Sequence, residues 1–326
     1  MIGQSVPMRR IMSLIERIAS SDVPVLITGE SGTGKEITAQ LIHQLSSRKD
    51  GPYLPVNCAA IPETLIESQL FGHEKGAFTG ADRRHEGLFE SASGGTLLLD
   101  EITEMRCETQ AKLIRVLEEG TVLRIGGAKE RPVNVRVLAA TNRSIDRALR
   151  DGLLREDLYF RLKVFSVHLP PLRERIEDLP FLIEHFIQKT NEKHGRRITS
   201  IDDDCLNALA AYWWPGNIRE LKHAIEHGVI VSETTRLALG DLPSEIEARA
   251  RPDSSFIVQL GSSMKDVVDE LICRTVTYAG GNKVRAAKIL GVGRRTIYSR
   301  LEHYDEHETN GRVNGRPYRN GRNGLR

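Results

Sequence analysis

The residues that can do chemistry begin with a glycine-rich loop, "GESGTGKE", which follows the apolar run "VPVLIT" at 23–28. Its G-x-x-x-x-G-K spacing places Gly29, Gly34 and Lys35 where backbone N–H groups at a helix N-terminus can hold phosphate oxygens. A glycine turn that only joins a strand to a helix is the alternative, but the preceding strand favours a nucleotide site. The predicted ATP-binding segment comprises Gly29, Glu30, Ser31, Gly32, Thr33, Gly34, Lys35 and Glu36.

A pair of carboxylates supplies the second half of the predicted site. "GGTLLLDE" has the pattern of a buried strand that ends in Asp100 and Glu101, and ligands of open α/β sheets lie at this carboxyl edge. We expect Asp100 to hold Mg²⁺ and Glu101 to polarise a water for attack on the γ-phosphate. Two acidic residues that merely cap a strand are the alternative. Because Glu36 stands where Ser or Thr normally reaches Mg²⁺, the ion should depend mainly on Asp100.

Two more polar residues stand at the end of the run "VRVLAAT" at 135–141 and directly after it. Thr141 and Asn142 stand at the end of this predicted strand, where polar groups can sense a γ-phosphate. By themselves they would be ordinary turn residues.

A parallel sheet is needed to bring these groups together. Short runs rich in β-branched residues alternate with helix-like segments, which predicts an α/β fold with a parallel sheet. The predicted strands lie within 23–28, 53–57, 96–100, 135–141 and 165–169. From Leu179 apolar residues recur at helical spacing, so a small helical domain should begin there.

Composition limits the partners and the compartment. Lys and Arg number 46 against 44 Asp and Glu in 326 residues, so nucleic acid or membrane would have to be met by a local patch. The four cysteines form no CxxC pair, which argues against a zinc module or a disulfide framework. With no apolar run near the roughly 20 residues of a membrane span and no signal peptide, we expect a cytoplasmic protein.

The C-terminal part has a helix-turn-helix outline. "GGNKVRAAKILGVGRRTIYSRLEHY" predicts a helix, a turn at Gly291 and a basic second helix. We expect Ala286, Ala287, Ile289 and Leu290 to pack the first helix. A solvated basic helix in a small bundle is the alternative. The predicted DNA-contacting side chains are Arg294, Arg295, Thr296, Tyr298, Ser299 and Arg300.

Together these residues resemble the AAA+ ATPases. "GESGTGKE", "FGHEKGAFTGA", "GGTLLLDE" and "YWWPGNIRELKH" are similar to the NtrC-like activators of sigma-54 RNA polymerase, over nearly the whole chain. That family also carries Glu at the position of Glu36. The resemblance implies an AAA+ α/β subdomain at 1–170, a helical lid at 171–243, a linker at 244–262, a Fis-type helix-turn-helix domain at 263–305 and a disordered basic tail at 306–326.

The resemblance also assigns roles to single residues. Asn57 would restrain the catalytic Glu101 until the γ-phosphate is in place, and Arg219 would contact the nucleotide from the lid. Arg155 and Arg161 would supply arginine fingers to a neighbouring subunit. Six residues on an ideal helix leave these two arginines about 120° apart, so they cannot do identical jobs if the segment is helical throughout. Surface salt bridges with nearby acidic residues are the alternative for either arginine.

A hexapeptide within "FGHEKGAFTGADRRHEG" is the strongest marker of this resemblance. Small residues around one aromatic ring cannot build a core, and paired glycines oppose regular structure, which predicts an exposed mobile loop. By resemblance this loop engages the sigma factor. Its residues are Gly76, Ala77, Phe78, Thr79, Gly80 and Ala81.

The predicted function is ATP-driven activation of sigma-54 RNA polymerase from upstream DNA, by a ring oligomer, expected to be hexameric, with dimer contacts in the C-terminal domain. A AAA+ unfoldase that uses Phe78 in its pore is one alternative. A DNA-binding repressor with a dead ATPase is another, disfavoured because Lys35, Asp100 and Glu101 are all present. No sensory domain precedes Ile2 in this sequence, so we expect control by a separate partner or by abundance, unless the sequence is a fragment.

Overall fold

The computed structural model describes residues 2–246, 263–278, 282–297 and 300. The chain divides into two compact units, Met1–Glu247 and Ala248–Arg326. The first unit contains the predicted nucleotide site and the lid, and the second contains the predicted helix-turn-helix. Within the described residues, no helix has both the length and the apolar character that a membrane crossing requires.

A five-stranded parallel sheet forms the centre of the first unit, in the order β2-β3-β6-β1-β7. The predicted α/β fold is therefore confirmed. Leu97, Leu98 and Leu99 of β3 are fully buried because both faces of the sheet are covered by other elements. The strands are β1 Val25–Thr28, β2 Tyr53–Asn57, β3 Thr96–Asp100, β6 Arg136–Thr141 and β7 Phe165–His168.

Seven helices accompany this sheet in the first 170 residues described. A short antiparallel hairpin, β4 Thr121–Leu123 with β5 Glu130–Pro132, was not predicted, because three-residue strands give too short an alternation to recognise. The helices are α1 Val6–Ala19, α2 Lys35–Gln44, α3 Glu63–Phe71, α4 Leu88–Ser91, α5 Cys107–Glu119, α6 Ile145–Arg150 and α7 Glu156–Leu162.

The predicted helical segment after residue 178 forms a lid with its own core. The buried Trp214 and Leu221 belong to this core, and the indole N–H of Trp214 donates to the Leu209 carbonyl at 2.8 Å. A minimal parallel pair, β8 Ser200–Ile201 with β9 Arg236–Leu237, closes one side. The lid helices are α8 Leu179–His194, α9 Asp203–Ala211 and α10 Asn217–Val231.

The second unit contains α11 Met264–Tyr278 and α12 Lys283–Leu290, with residues 294–297 helical again. Gly291 has φ +64°, as the predicted turn requires. Ala286 and Ala287 are buried as expected, but Ile289 is half exposed, so its predicted core position is wrong. Ile297 closes the small core with Ile272. The predicted DNA contacts Tyr298 and Ser299 lie outside the described residues, as do the predicted tail and residues 247–262 of the linker predicted at 244–262. Residues 244–246 are helical and Ile246 packs into the lid core, so the lid extends past its predicted end at 243.

Candidate functional site

The phosphate loop joins β1 to α2 and is held open by glycine geometry. Gly29, Gly32 and Gly34 have φ of 150°, 78° and 104°, which side chains with a Cβ rarely adopt. Lys35 is the first residue of α2, and its side chain is only 7% exposed. Its Nζ donates to the Gly29 carbonyl at 3.1 Å. A strong cation therefore lies inside the loop, and backbone N–H groups at the start of α2 are available for an anion.

The carboxyl ends of β3 and β6 bring Glu101 to this loop. Glu101 has φ +53°, a strained conformation for a side chain of this type that is typical of functional sites. Its Oε1 lies 3.7 Å from Lys35 Nζ, and its Oε2 accepts from the Asn142 N–H at 3.0 Å. Asp100 accepts the backbone N–H of Glu101 at 3.1 Å. Glu101 is thus fixed beside the phosphate loop.

The structure assigns different partners to three predicted polar residues. Asn142 contacts Glu101 through its backbone N–H, whereas its side chain is exposed. Thr141 is fully buried, and its hydroxyl and that of Thr103 are hydrogen-bonded at 3.0 Å. Asn57 accepts from the Ala59 N–H at 2.9 Å. The implied coupling of Asn57 to Glu101 stays a prediction.

The start of lid helix α10 bonds directly to the phosphate loop. The Ile218 N–H donates to the Gly32 carbonyl at 3.0 Å, and a Cβ on Gly32 would overlap the Gly216 carbonyl. Arg219 Nη1 donates to the Ser31 hydroxyl at 2.9 Å, so the predicted lid arginine lies at the phosphate loop. Asn217, which the sequence analysis missed, donates to the Ser31 carbonyl at 3.0 Å.

Glu30, the second residue of the predicted loop, is bound to the lid side of the molecule. Arg173 makes two hydrogen bonds to its carboxylate, at 2.8 and 2.5 Å, and the Asn217 amide adds one at 3.1 Å. The bonded Arg173 guanidinium, followed by Asn217, lowers the pKa of Glu30 to about 2. The same guanidinium stacks over the Trp213 ring at 4.8 Å. The ionised Glu30 carboxylate therefore connects the phosphate loop to Arg173 and Asn217, and the predicted binding of nucleotide by this part of the loop stays a prediction.

A cavity of about 220 Å³ adjoins the phosphate loop. It opens between the loop, the N-terminal segment and helices α8 and α10, and its walls are mostly apolar. An aromatic base attached to phosphates in the loop fits this setting. The lining residues are Ile2, Thr33, Gly34, Ile37, Arg175, Leu182, His185, Phe186 and Ile218.

The two predicted finger arginines have different surroundings. Arg155 precedes α7, which begins at Glu156, so the predicted 120° separation on one helix does not apply. Its guanidinium is held by Asp157 through two hydrogen bonds, at 3.0 and 2.7 Å. Arg161 lies in the last turn of α7 and has a single longer ion pair, 3.6 Å from Glu118. Since both of those side chains are about half exposed, that pair restrains Arg161 weakly.

The hexapeptide forms a tight exposed turn. The Gly76 N–H donates to the Ala81 carbonyl at 2.8 Å, and the Ala81 N–H donates to the Phe78 carbonyl at 3.0 Å. Phe78 is 40% exposed and Thr79 is exposed. Ala81 is only 4% exposed, so the predicted exposure is wrong for that residue.

An ion-pair cluster fixes the base of this turn. Arg124 is 3% exposed and binds Glu90 at 2.7 Å and Glu74 at 3.1 Å. The Glu74 N–H also donates to the Ile125 carbonyl at 3.0 Å. These contacts therefore connect the base of the hexapeptide to the β4–β5 hairpin.

The candidate nucleic-acid interface is in the second unit. Arg294, Arg295 and Thr296 are exposed at the start of the second helix. Arg300 instead donates to Asp269 at 3.0 Å, and the Asp269 side chain is only 10% exposed. Arg300 thus joins its part of the chain to α11, and its predicted DNA contact stays a prediction.

Comparison with known protein families divides the chain into three matched segments. Residues 1–168 match the model of the sigma-54 interaction domain, and residues 173–256 match the AAA+ ATPase lid domain. Residues 266–304 match the bacterial regulatory proteins of the Fis family, whose model is a helix-turn-helix.

Several curated regulators are similar over most of the chain. The nitrogen fixation protein AnfA of Azotobacter vinelandii is 43% identical over 303 residues, 93% of this chain and 57% of AnfA. FlbD of Caulobacter vibrioides is 43% identical over 94% of this chain and 70% of FlbD. AtoC of Escherichia coli is 45% identical over 88% of this chain and 64% of AtoC. The chain thus spans 57% to 70% of the length of these relatives.

A solved structure shares this architecture. NtrX from Brucella abortus in complex with ADP superposes with a TM-score of 0.73 at 32% identity, over 93% of this chain and 69% of NtrX. The ATP complex of the same protein gives a TM-score of 0.72.

Proposed function

The chain belongs to the sigma-54-interacting family of AAA+ regulators, and on that premise we propose that it activates transcription by coupling ATP hydrolysis to remodelling of the sigma-54 polymerase complex. The observation that carries the proposal is the exposed hexapeptide turn, which lies in the same compact unit as a complete phosphate loop. Upstream DNA would be bound by the helix-turn-helix unit, and hydrolysis would require a ring of subunits.

The hydrolytic chemistry follows from the residues at the sheet edge. Lys35 and the backbone N–H groups at the start of α2 would hold the β- and γ-phosphates. Glu101, fixed by the Asn142 N–H, would orient and polarise the attacking water. The apolar cavity beside the loop would take the base of ATP and so add binding energy away from the reacting bond.

Magnesium fits this donor set. Mg²⁺ is usually bound by one or two carboxylates together with phosphate oxygens and waters, and the Asp100 carboxylate lies at the sheet edge next to Glu101. Asp100 would hold the ion. When bound, the ion would neutralise charge on the phosphates.

The hexapeptide is expected to carry the contact with the sigma factor. We expect Phe78→Ala and Thr79→Ala to lower open-complex formation at least about thirtyfold, the scale of losing an interface anchor worth 2 kcal/mol. Basal ATP turnover should stay within about twofold, because Lys35 and Glu101 are unchanged. The measurements are a native-gel shift of sigma-54 with a transition-state analogue of ATP, and phosphate release.

Matched variants sharpen this test. Thr79→Ser keeps the hydroxyl and should retain sigma-54 trapping, while Asp82→Asn alters an exposed residue just outside the hexapeptide and should have little effect. Normal trapping and normal transcription by both alanine variants would remove the proposed role of the loop.

DNA binding should respond differently to two arginines of the second unit. Arg295→Ala is expected to weaken DNA binding. It should also reduce the slope of log affinity against log salt concentration by about one, because an exposed arginine that contacts phosphate releases a counterion. Arg300→Ala should mainly lower the thermal stability of the unit, since it leaves Asp269 unpaired. Fluorescence anisotropy at several salt concentrations and thermal melting measure the two effects.

Lys265→Ala, which changes an exposed residue of α11, serves as the matched control and should change neither quantity strongly. An unchanged salt slope in Arg295→Ala would argue against a phosphate contact. Equal loss of DNA-free ATPase activity would place Arg295 in the ATPase assembly instead.

A further inference from the structure

Asn217 has an unusual conformation for a lid residue. Its φ is +53° at the first position of α10, and its side chain is fully buried. A strained conformation outside glycine persists only where the surroundings compensate for it. The compensation here comes from hydrogen bonds made by the side-chain amide.

The Asn217 amide joins three segments that are far apart in sequence. Its Oδ1 accepts from the Leu172 N–H at 2.8 Å, in the turn Leu172–Glu174 that leads from β7 into the lid. Its Nδ2 donates to the Ser31 carbonyl at 3.0 Å and to Glu30 Oε2 at 3.1 Å. One side chain therefore connects the phosphate loop, the connection into the lid and the start of α10.

Neither aspartate nor glycine could replace Asn217 and keep all of these bonds. The position needs tolerance of positive φ, an acceptor for Leu172 and a donor for Ser31 and Glu30. Asparagine supplies all three, whereas aspartate lacks the donor and glycine lacks the amide. Arg173 completes the arrangement by donating to both oxygens of the Glu30 carboxylate, so that Oε2 accepts from Arg173 as well as from Asn217.

We propose that Asn217 and Glu30 form a clasp that fixes the start of α10 against the phosphate loop and thereby sets the affinity for nucleotide. Arg219 lies two residues further on and reaches the Ser31 hydroxyl, so its place at the site depends on how α10 begins. Asn217 is a positioning residue in this account, because it touches the loop rather than the reacting phosphate. The inference rests on the proposed ATPase function.

Two substitutions of Asn217 test the clasp with ADP as the probe, titrated by calorimetry. Asn217→Gly removes the amide without adding backbone strain, and we expect the ADP dissociation constant to rise about tenfold. Asn217→Asp keeps the acceptor for Leu172 but places a second carboxylate beside Glu30, so the rise should be larger. The loss should appear in the KM for ATP more than in kcat, because Glu101 is untouched.

A second substitution separates direct contact from general loss of stability. Adding Glu30→Gln to Asn217→Asp removes the repulsion between the two carboxylates and restores a donor to this contact. The amide also replaces one of the two oxygens that accept from Arg173, so only part of the ADP affinity should return. Asn191→Asp breaks a comparable amide contact with Ile198 inside the lid, and it should lower the melting temperature without changing ADP affinity.

The outcomes are distinguishable. ADP affinity within about twofold of the parent in both Asn217 variants, or no recovery in the double variant, would overturn the clasp. A parent protein that binds no ADP would overturn the proposed ATPase function itself.

Discussion

Replacing Arg161 by alanine is expected to lower ATP turnover by about 10³-fold or more while ATP affinity changes little, because an arginine finger acts on charge that develops in the transition state. The structure favours Arg161 over Arg155 for this role. Both arginines make exposed ion pairs, but Arg155 donates two hydrogen bonds to Asp157, whereas the ion pair described for Arg161 is longer, 3.6 Å from Glu118. Turnover is measured by phosphate release and affinity by nucleotide titration.

A mixing experiment tests action between subunits. In mixtures of Arg161→Ala with Lys35→Ala, some rings place an intact finger beside an intact pocket, so partial activity should return. Glu118→Gln is the matched control, since it removes only the resting partner of Arg161, and it should leave turnover unchanged. No recovery at any mixing ratio would contradict a finger supplied by a neighbouring subunit.

Replacing Glu101 by glutamine should lower turnover by about 10²- to 10⁴-fold, the usual contribution of a positioned general base. ATP should still bind, because Lys35 and the phosphate loop are intact. Lys35→Ala should instead abolish binding, since the phosphates lose their mobile counterion. Nucleotide titration and phosphate release distinguish the two defects.

Glu104→Gln provides the control for this prediction. Glu104 lies one turn further on, and its carboxylate is taken by Arg143 at 2.9 Å, so turnover should be nearly unchanged. Hydrolysis at the parent rate by Glu101→Gln would show that another group polarises the water.

The parts of the site that the sequence predicted well are those with local signals. The strand before Gly29 and the run ending at Asp100 were placed within two residues of their bounds, because β-branched runs and glycine spacing act over a few neighbouring residues. The start of α7 after Arg155 also had a local signal that was missed. Glu156 and Asp157 stand in its first turn, where acidic residues favour a helix N-terminus.

The parts that could not be predicted depend on long-range contacts. The bond from Asn217 to Glu30 joins residues 187 positions apart, and no spacing rule covers that distance. Ile289 follows the helical apolar pattern and yet is half exposed, because only some of that face meets α11. Arg300 looks like its basic neighbours in sequence, but tertiary packing pairs it with Asp269.

Promoter opening by this protein with sigma-54 holoenzyme, on a template that carries its upstream binding site, tests whether ATP hydrolysis drives remodelling of the polymerase complex. We expect permanganate-reactive DNA at the start site to appear with ATP, and not with a non-hydrolysable analogue or with the Glu101→Gln variant. Opening that is equally strong with the analogue, or no opening although ATP is hydrolysed and the DNA is bound, would contradict this proposal.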